Sequence, residues 1–110
     1  ADGDNRIISV GYNGFPAGIS DDLRLEDREL KYKMIVHAEQ NAILFARKNL
    51  QGCTLYTWPL MACSACAAVI IQSGIKKHIA PAEIPDRWEK STDISKIMFK
   101  EAGVEVVLRP

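Results

Sequence analysis

The stretch IVHAEQNAILFAR sets His37 and Glu39 two residues apart at the front of an alanine-rich apolar run, and CSAC follows further on with Cys63 and Cys66. Burying an imidazole or a carboxylate without a partner is costly, so each needs something to meet. One imidazole and two thiolates suit zinc, which prefers four ligands. Three protein ligands leave the fourth position to water. Two thiolates cancel the charge of the ion, and water held there loses its proton far more readily than free water. Glu39 stands beside a ligand in the chain without being one, and can receive that proton.

Each motif alone has other readings. A lone histidine in an apolar run is usually a core or capping residue. C-x-x-C also occurs as half of a structural zinc site or as a thiol-redox pair. The redox reading leaves His37 and Glu39 unexplained. A structural site with four protein ligands needs another donor, and the spare thiol, Cys53, stands ahead of an alternating strand and reads as a small buried hydrophobe.

The elements that must position these groups follow from patterning. Cys63 and Cys66 open the segment CSACAAVIIQSG, a helix closed by Gly74, so both thiols project from one face of its first turn. That turn carries unpaired N–H groups and the positive end of the helix dipole, which favour thiolates. His37 opens a second helix running from Val36 to about Asn49 on the spacing of Ala38, Ala42, Phe45 and Ala46. If both helices start at one edge of a sheet, the three donors converge.

Strands are expected from about Arg6 to Tyr12, at CTLYT, at IKKHIAP and at VEVVLR. A further helix over STDISKIMFKEAG has Thr92 or Asp93 as its N-cap and Gly103 as its terminator. Residues 18 to 34 are polar and read as a loop with a short helix. Strands alternating with helices argue for an α/β sandwich with a mostly parallel sheet. The Asp-Gly turn ahead of Arg6 reads as the second half of a hairpin signal, so at least one strand is expected before Ala1.

The 110 residues fit one domain, 1–110. Fourteen basic residues balance fourteen acidic ones. That balance lacks the broad basic footprint of a protein that grips long nucleic acid, but leaves room for a small phosphorylated ligand. No apolar run reaches membrane-spanning length. Three cysteines, two of them as C-x-x-C, suit a metal or redox site inside the cell, and a cytoplasmic setting is expected.

H-A-E followed by a C-x-x-C helix resembles the zinc-dependent cytidine deaminase superfamily, and GYNGFPAG with HAEQNAI looks most like its deoxycytidylate deaminases. The resemblance runs from about Ile8 to Ile79. It implies a three-layer sandwich, a mixed five-stranded sheet flanked by helices, with the N-terminal helix and first strand missing from this chain. It implies zinc held by His37, Cys63 and Cys66, with Glu39 as proton shuttle. The reaction implied is hydrolytic deamination of a cytosine nucleotide, most naturally dCMP to dUMP and ammonia, by a homo-oligomer. Asn13 falls where the family sets an asparagine against the sugar, although Asn-Gly is also a common turn pair. The backbone of Ala38 would meet the pyrimidine edge. Asn41 either contacts ligand or caps a loop, and Trp58 either stacks on a base or sits in the core or at the rim.

The family usually has proline immediately before the first cysteine. Here Ala62 stands there and Pro59 comes earlier, so the loop TWPLMAC is expected to enter the site along its own path. Two other functions remain open: a tRNA adenosine or other polynucleotide deaminase, and a non-catalytic zinc or thiol-redox module.

Overall fold

The computed structural model describes residues 1–19 and 28–110. The part of the polar stretch at 20–27, Arg24 included, lies outside the described residues. The elements run α1 (Arg28–Met34), α2 (Ala38–Ala46), β1 (Thr54–Tyr56), α3 (Ser64–Gln72), β2 (Lys77–Pro81), α4 (Asp86–Ala102) and β3 (Glu105–Arg109). Among the described residues the sheet has three strands in the order β1-β2-β3, every pair parallel. The register sets Leu55 opposite His78, and His78 opposite Val106. β2 is the central strand, and His78, Ile79 and Ala80 are buried in succession, the pattern of a strand covered on both faces.

Parallel strands need crossovers, and α3 and α4 supply them. α3 packs against both α2 and α4, and α4 also against β3. One cluster of buried side chains runs through these layers, with Cys53, Met61, Cys66, Ile70, Ile75 and Phe99 among its members. Cys53 is thus the small core residue its strand position suggests.

Three boundaries differ from the sequence reading. The segment from Arg6 to Tyr12 is not a strand: Ile7, Val10 and Tyr12 are exposed, and the nearest ladder contact is a single antiparallel bridge between Gly14 and Val36. Its backbone lies on α2 instead. Ser9 Oγ donates to the Ala42 carbonyl at 2.6 Å, and a Cβ on Gly11 would collide with backbone atoms of Ala38 and Ala42. Glycine is what permits that approach.

α2 ends at Ala46 rather than near Asn49, because Arg47 turns left-handed (φ 51°, ψ 38°). α4 starts at Asp86, so Thr92 and Asp93 lie inside it. Pro85 sets the helix entry, where Trp88 N–H donates to its carbonyl at 2.8 Å, and Asp86 and Glu89 favour the N-terminal turn. The buried Thr92 hydroxyl donates to the Glu89 carbonyl at 3.0 Å instead of capping. The C-terminal signals hold: Gly103 is left-handed at the end of α4, and Gly74 follows the α3 cap Ser73 at φ 83°.

Phe99 is fully buried where α4 meets the sheet. Phe99→Ala should therefore lower unfolding stability by about 3–5 kcal/mol, read by denaturant titration of zinc-loaded protein.

Candidate metal centre

The site forms where the starts of α2 and α3 meet. His37 is the N-cap of α2, in extended conformation (φ −70°, ψ 153°), and Cys63 is the N-cap of α3 (φ −71°, ψ 173°). Cys66 is three residues on, in the first turn of α3. Both cap residues are pinned by their backbones: Asn41 N–H donates to the His37 carbonyl at 3.0 Å, and Ala67 N–H to the Cys63 carbonyl at 2.8 Å. Gln40 adds a second restraint, its Oε1 accepting from His37 N–H at 3.0 Å. Sequence reasoning passed over Gln40, although a glutamine three residues after an N-cap is the signal of a capping box.

His37 Nδ1 lies 3.1 Å from Cys66 Sγ and 3.6 Å from Cys63 Sγ. One donor atom from each of the three residues falls within 4.8 Å of the others. Tetrahedral zinc, with bonds of about 2.3 Å to sulfur and about 2.0 Å to nitrogen, sets such donors about 3.5 Å apart. The donor set and its spacing fit zinc, and the three residues named from sequence are brought together.

The two thiols titrate as a pair. A hydrogen bond from Cys66 to the Cys63 sulfur is the main cause that lowers the Cys63 thiol from 9.0 to about 5, and the charge of His37 assists. The same hydrogen bond pushes the Cys66 thiol up, with burial and the nearby Glu39 carboxylate acting the same way. One proton is therefore shared in the metal-free pair, and Cys66, beside a carboxylate, is the natural holder. A divalent cation removes the need for it.

Glu39 occupies the first turn of α2, close to the Cys66 thiol, and faces a cleft of about 530 Å³. Ala38, Ser9, Gly11, Tyr56 and Trp58 share the cleft wall. Trp58 is 83% exposed, a rim position. Asn13 and Asn41 do not line the cleft. Asn13 Oδ1 accepts from Ala38 N–H at 2.7 Å, and Asn41 Nδ2 donates to the Tyr12 carbonyl at 2.8 Å. The two asparagines thus tie the loop at 12–13 to the start of α2.

The loop from β1 into α3 passes through a cis Trp58–Pro59 peptide. It is fastened by Thr57 Oγ1, which donates to the Leu60 carbonyl at 2.8 Å, and by Ala62 N–H, which donates to His78 Nε2 at 3.1 Å. Ala62, with an N–H that proline would lack, uses it here.

A parallel α/β sheet carries two helix starts that converge on two cysteines and a histidine, with a glutamate beside them, and this donor set is of the kind that holds zinc. The chain belongs to the family described as the cytidine and deoxycytidylate deaminase zinc-binding region, which matches residues 1–81. It is 47% identical to an uncharacterized deaminase of Aliivibrio fischeri, over 96% of this chain and 74% of that protein. It is 40% identical to the deoxycytidylate deaminase of Mus musculus, over 92% of this chain and 60% of that protein. In structure it resembles the dCMP deaminase of cyanophage S-TIM5 in complex with dCMP and dUMP, at TM-score 0.65 and 26% identity, over 94% of this chain and 74% of that one.

The paired thiols predict a pH signature in metal-free protein. The Cys63 pKa is lowered on folding, so the unfolded chain binds more protons between pH about 5 and about 9. The pair's contribution to stability then rises with pH across that window and is lost as pH falls through about 5. Thiolate absorbance near neutral pH should correspond to one cysteine per chain, titrate near pH 5 and vanish in Cys63→Ala. By metal analysis of zinc-loaded protein, His37→Ala and Cys66→Ser should each retain less than one zinc per chain.

Proposed function

We propose that this chain carries the active site of a zinc-dependent hydrolase that deaminates deoxycytidylate to deoxyuridylate and ammonia. The observation that carries the reading is the group of His37, Cys63 and Cys66 with Glu39 at its side and a cleft before it. The relatives' names supply the substrate, and the cleft volume suits one nucleotide.

His37, Cys63 and Cys66 would hold the zinc, which when bound supplies the Lewis acidity that makes water a nucleophile at neutral pH. Glu39 accepts a proton from the attacking water and delivers it to N3 of the pyrimidine as the water oxygen adds to C4. It then carries the second proton to the departing amine, ammonia leaves, and the ring becomes uracil. Each proton taken is returned, so Glu39 ends as it began. Asn13 turns toward the sugar when nucleotide enters, releasing Ala38 N–H for the pyrimidine carbonyl. Trp58 covers the base from the rim, and Asn41 holds the loop at Tyr12 during the exchange.

The same reading makes the protein a cytoplasmic homo-oligomer whose single domain contains residues 1–110. The free, buried thiols suit a reducing compartment, and the exposed Leu44 and Phe45 on α2 offer apolar surface to a second copy. A five-stranded sheet between helices is part of the same reading. The outer edge of β1, where Thr54 exchanges backbone hydrogen bonds with Ala1, is where such a sheet would continue.

A panel of deoxycytidylate, cytidylate, deoxycytidine and tRNA adenosine tests the substrate. Deoxycytidylate should be turned over with the highest kcat/KM, and preference for tRNA would replace this reading with a polynucleotide deaminase. Glu39→Gln should retain zinc and bind deoxycytidylate as the parent does. Its single-turnover rate should drop about 10²–10⁴-fold, the usual worth of a positioned acid–base. A parental rate would leave "HAE" as a metal ligand beside an idle carboxylate.

A further inference from the structure

His78 lies in the central strand with no exposed surface, its ring 5.6 Å from that of Phe99 and tilted by 51°. Both of its nitrogens have a backbone partner. Nδ1 is 3.3 Å from the carbonyl oxygen of Leu55 on β1, and Nε2 is 3.1 Å from the amide nitrogen of Ala62. A carbonyl oxygen can only accept, so Nδ1 must carry the hydrogen. An amide N–H can only donate, so Nε2 must be bare. The two contacts are compatible with a single neutral tautomer. Burial acts in the same direction by lowering the pKa of His78.

The Ala62 amide sits one residue ahead of Cys63 in a fully buried residue, so its N–H needs an acceptor inside the protein. Beyond it, Cys63 caps α3 and accepts from Ala67 N–H, so a shift at Ala62 moves the first turn and the Cys66 thiol together. The far side of the turn is held by Ser91, whose Oγ accepts from Ser64 N–H at 3.0 Å. No contact of this kind reaches Cys63 from β2 except through His78 among the described residues.

We propose that His78 is a positioning residue for the metal centre: bonded to Leu55 on one side, it uses Nε2 to fix the backbone from which the Cys63 and Cys66 thiols project. It does not touch the metal. Its part is to set the separation of the two sulfurs from His37 before the ion arrives, so that little rearrangement accompanies binding. The proposal rests on the zinc reading of the site.

The test compares the parent with His78→Phe, which fills much of the same space against Phe99 but offers no acceptor, and with His78→Gln, which offers one. Zinc affinity is measured by competition with a chromophoric chelator, and the cobalt-substituted proteins are compared by visible absorption. His78→Phe should lose zinc affinity about 10–100-fold, as partners beyond the first ligands typically do. Its cobalt spectrum should shift, zinc should raise its melting temperature less than it raises the parent's, and His78→Gln should recover part of each change. Parental zinc affinity with an unchanged cobalt spectrum in His78→Phe would overturn the proposal. A parent that fails to bind zinc would overturn the zinc reading itself. If His78→Phe does not fold, nitrogen-15 NMR of the zinc-loaded parent decides. Protonated Nδ1 with bare Nε2 supports the proposal, and the opposite tautomer or an imidazolium refutes it.

Discussion

Two sulfurs and an imidazole nitrogen held within 4.8 Å of one another impose the constraint on which this structure turns. Two thiolates about 4 Å apart repel by roughly 4 kcal/mol at the effective dielectric near a protein surface. The metal-free pair avoids that cost by keeping one proton between its members, whereas a divalent ion converts the repulsion into two attractions. The shared proton and the contact with His37 ease the approach of the donors but do not choose their positions, so the rest of the chain must bring them together. Parallel strands meet this need. Because β1 and β2 run the same way, the loop leaving β1 must cross to a helix whose start lies at the strands' C-terminal edge, and that start carries the thiols.

The imidazole comes from a different connection, and its placement is secured differently. Among the described residues α2 follows no strand of the sheet, and its start is held by side chains and by the segment at 7–14 lying across it. Gln40 binds the His37 amide, Asn13 binds the Ala38 amide, and Asn41 binds the chain at Tyr12. Gly11 allows the segment to lie against the helix backbone. The first two contacts satisfy the His37 and Ala38 N–H groups at the start of the helix, and the His37 ring faces the thiols of α3. Because the three donors come from positions distant in sequence, ion binding and folding reinforce each other.

The parts of this arrangement legible from sequence were those encoded within a few residues. Cys63 at the cap and Cys66 in the first turn follow from their spacing and the apolar run behind them, and Gly103 announces the end of α4. The apparent strand at Arg6–Tyr12 shows the limit of such signals. Alternation and β-branching are satisfied equally by an extended chain packed on a helix, and Gly11, the residue that decides between the two, is silent until the helix is in view. The start of α4 differs because Thr92 and Asp93 look like caps, yet Pro85 and the acidic residues after it begin the helix about two turns earlier. His78 carried no local signal at all. Its meaning lies in Leu55 and Ala62, which only the sheet register brings to it.

Glu39 joins the two halves of the site. Of His37, Glu39, Cys63 and Cys66, it is Glu39 that lines the cleft, while its carboxylate also lies beside Cys66 and adds to the Cys63 hydrogen bond and the burial that push that thiol up. A group that carries protons between water at a metal and a ring in a cleft must reach both places without being bound by either. In the proposed reaction Glu39, two residues beyond His37, can do so, since it lines the cleft and also lies beside Cys66. His37 faces α3, and the next residues, Ala38 and Glu39, stand in the cleft wall. Under the proposed function, the spacing of H-A-E would give one residue to the metal, one backbone amide to the ring and one carboxylate to the proton that passes between them.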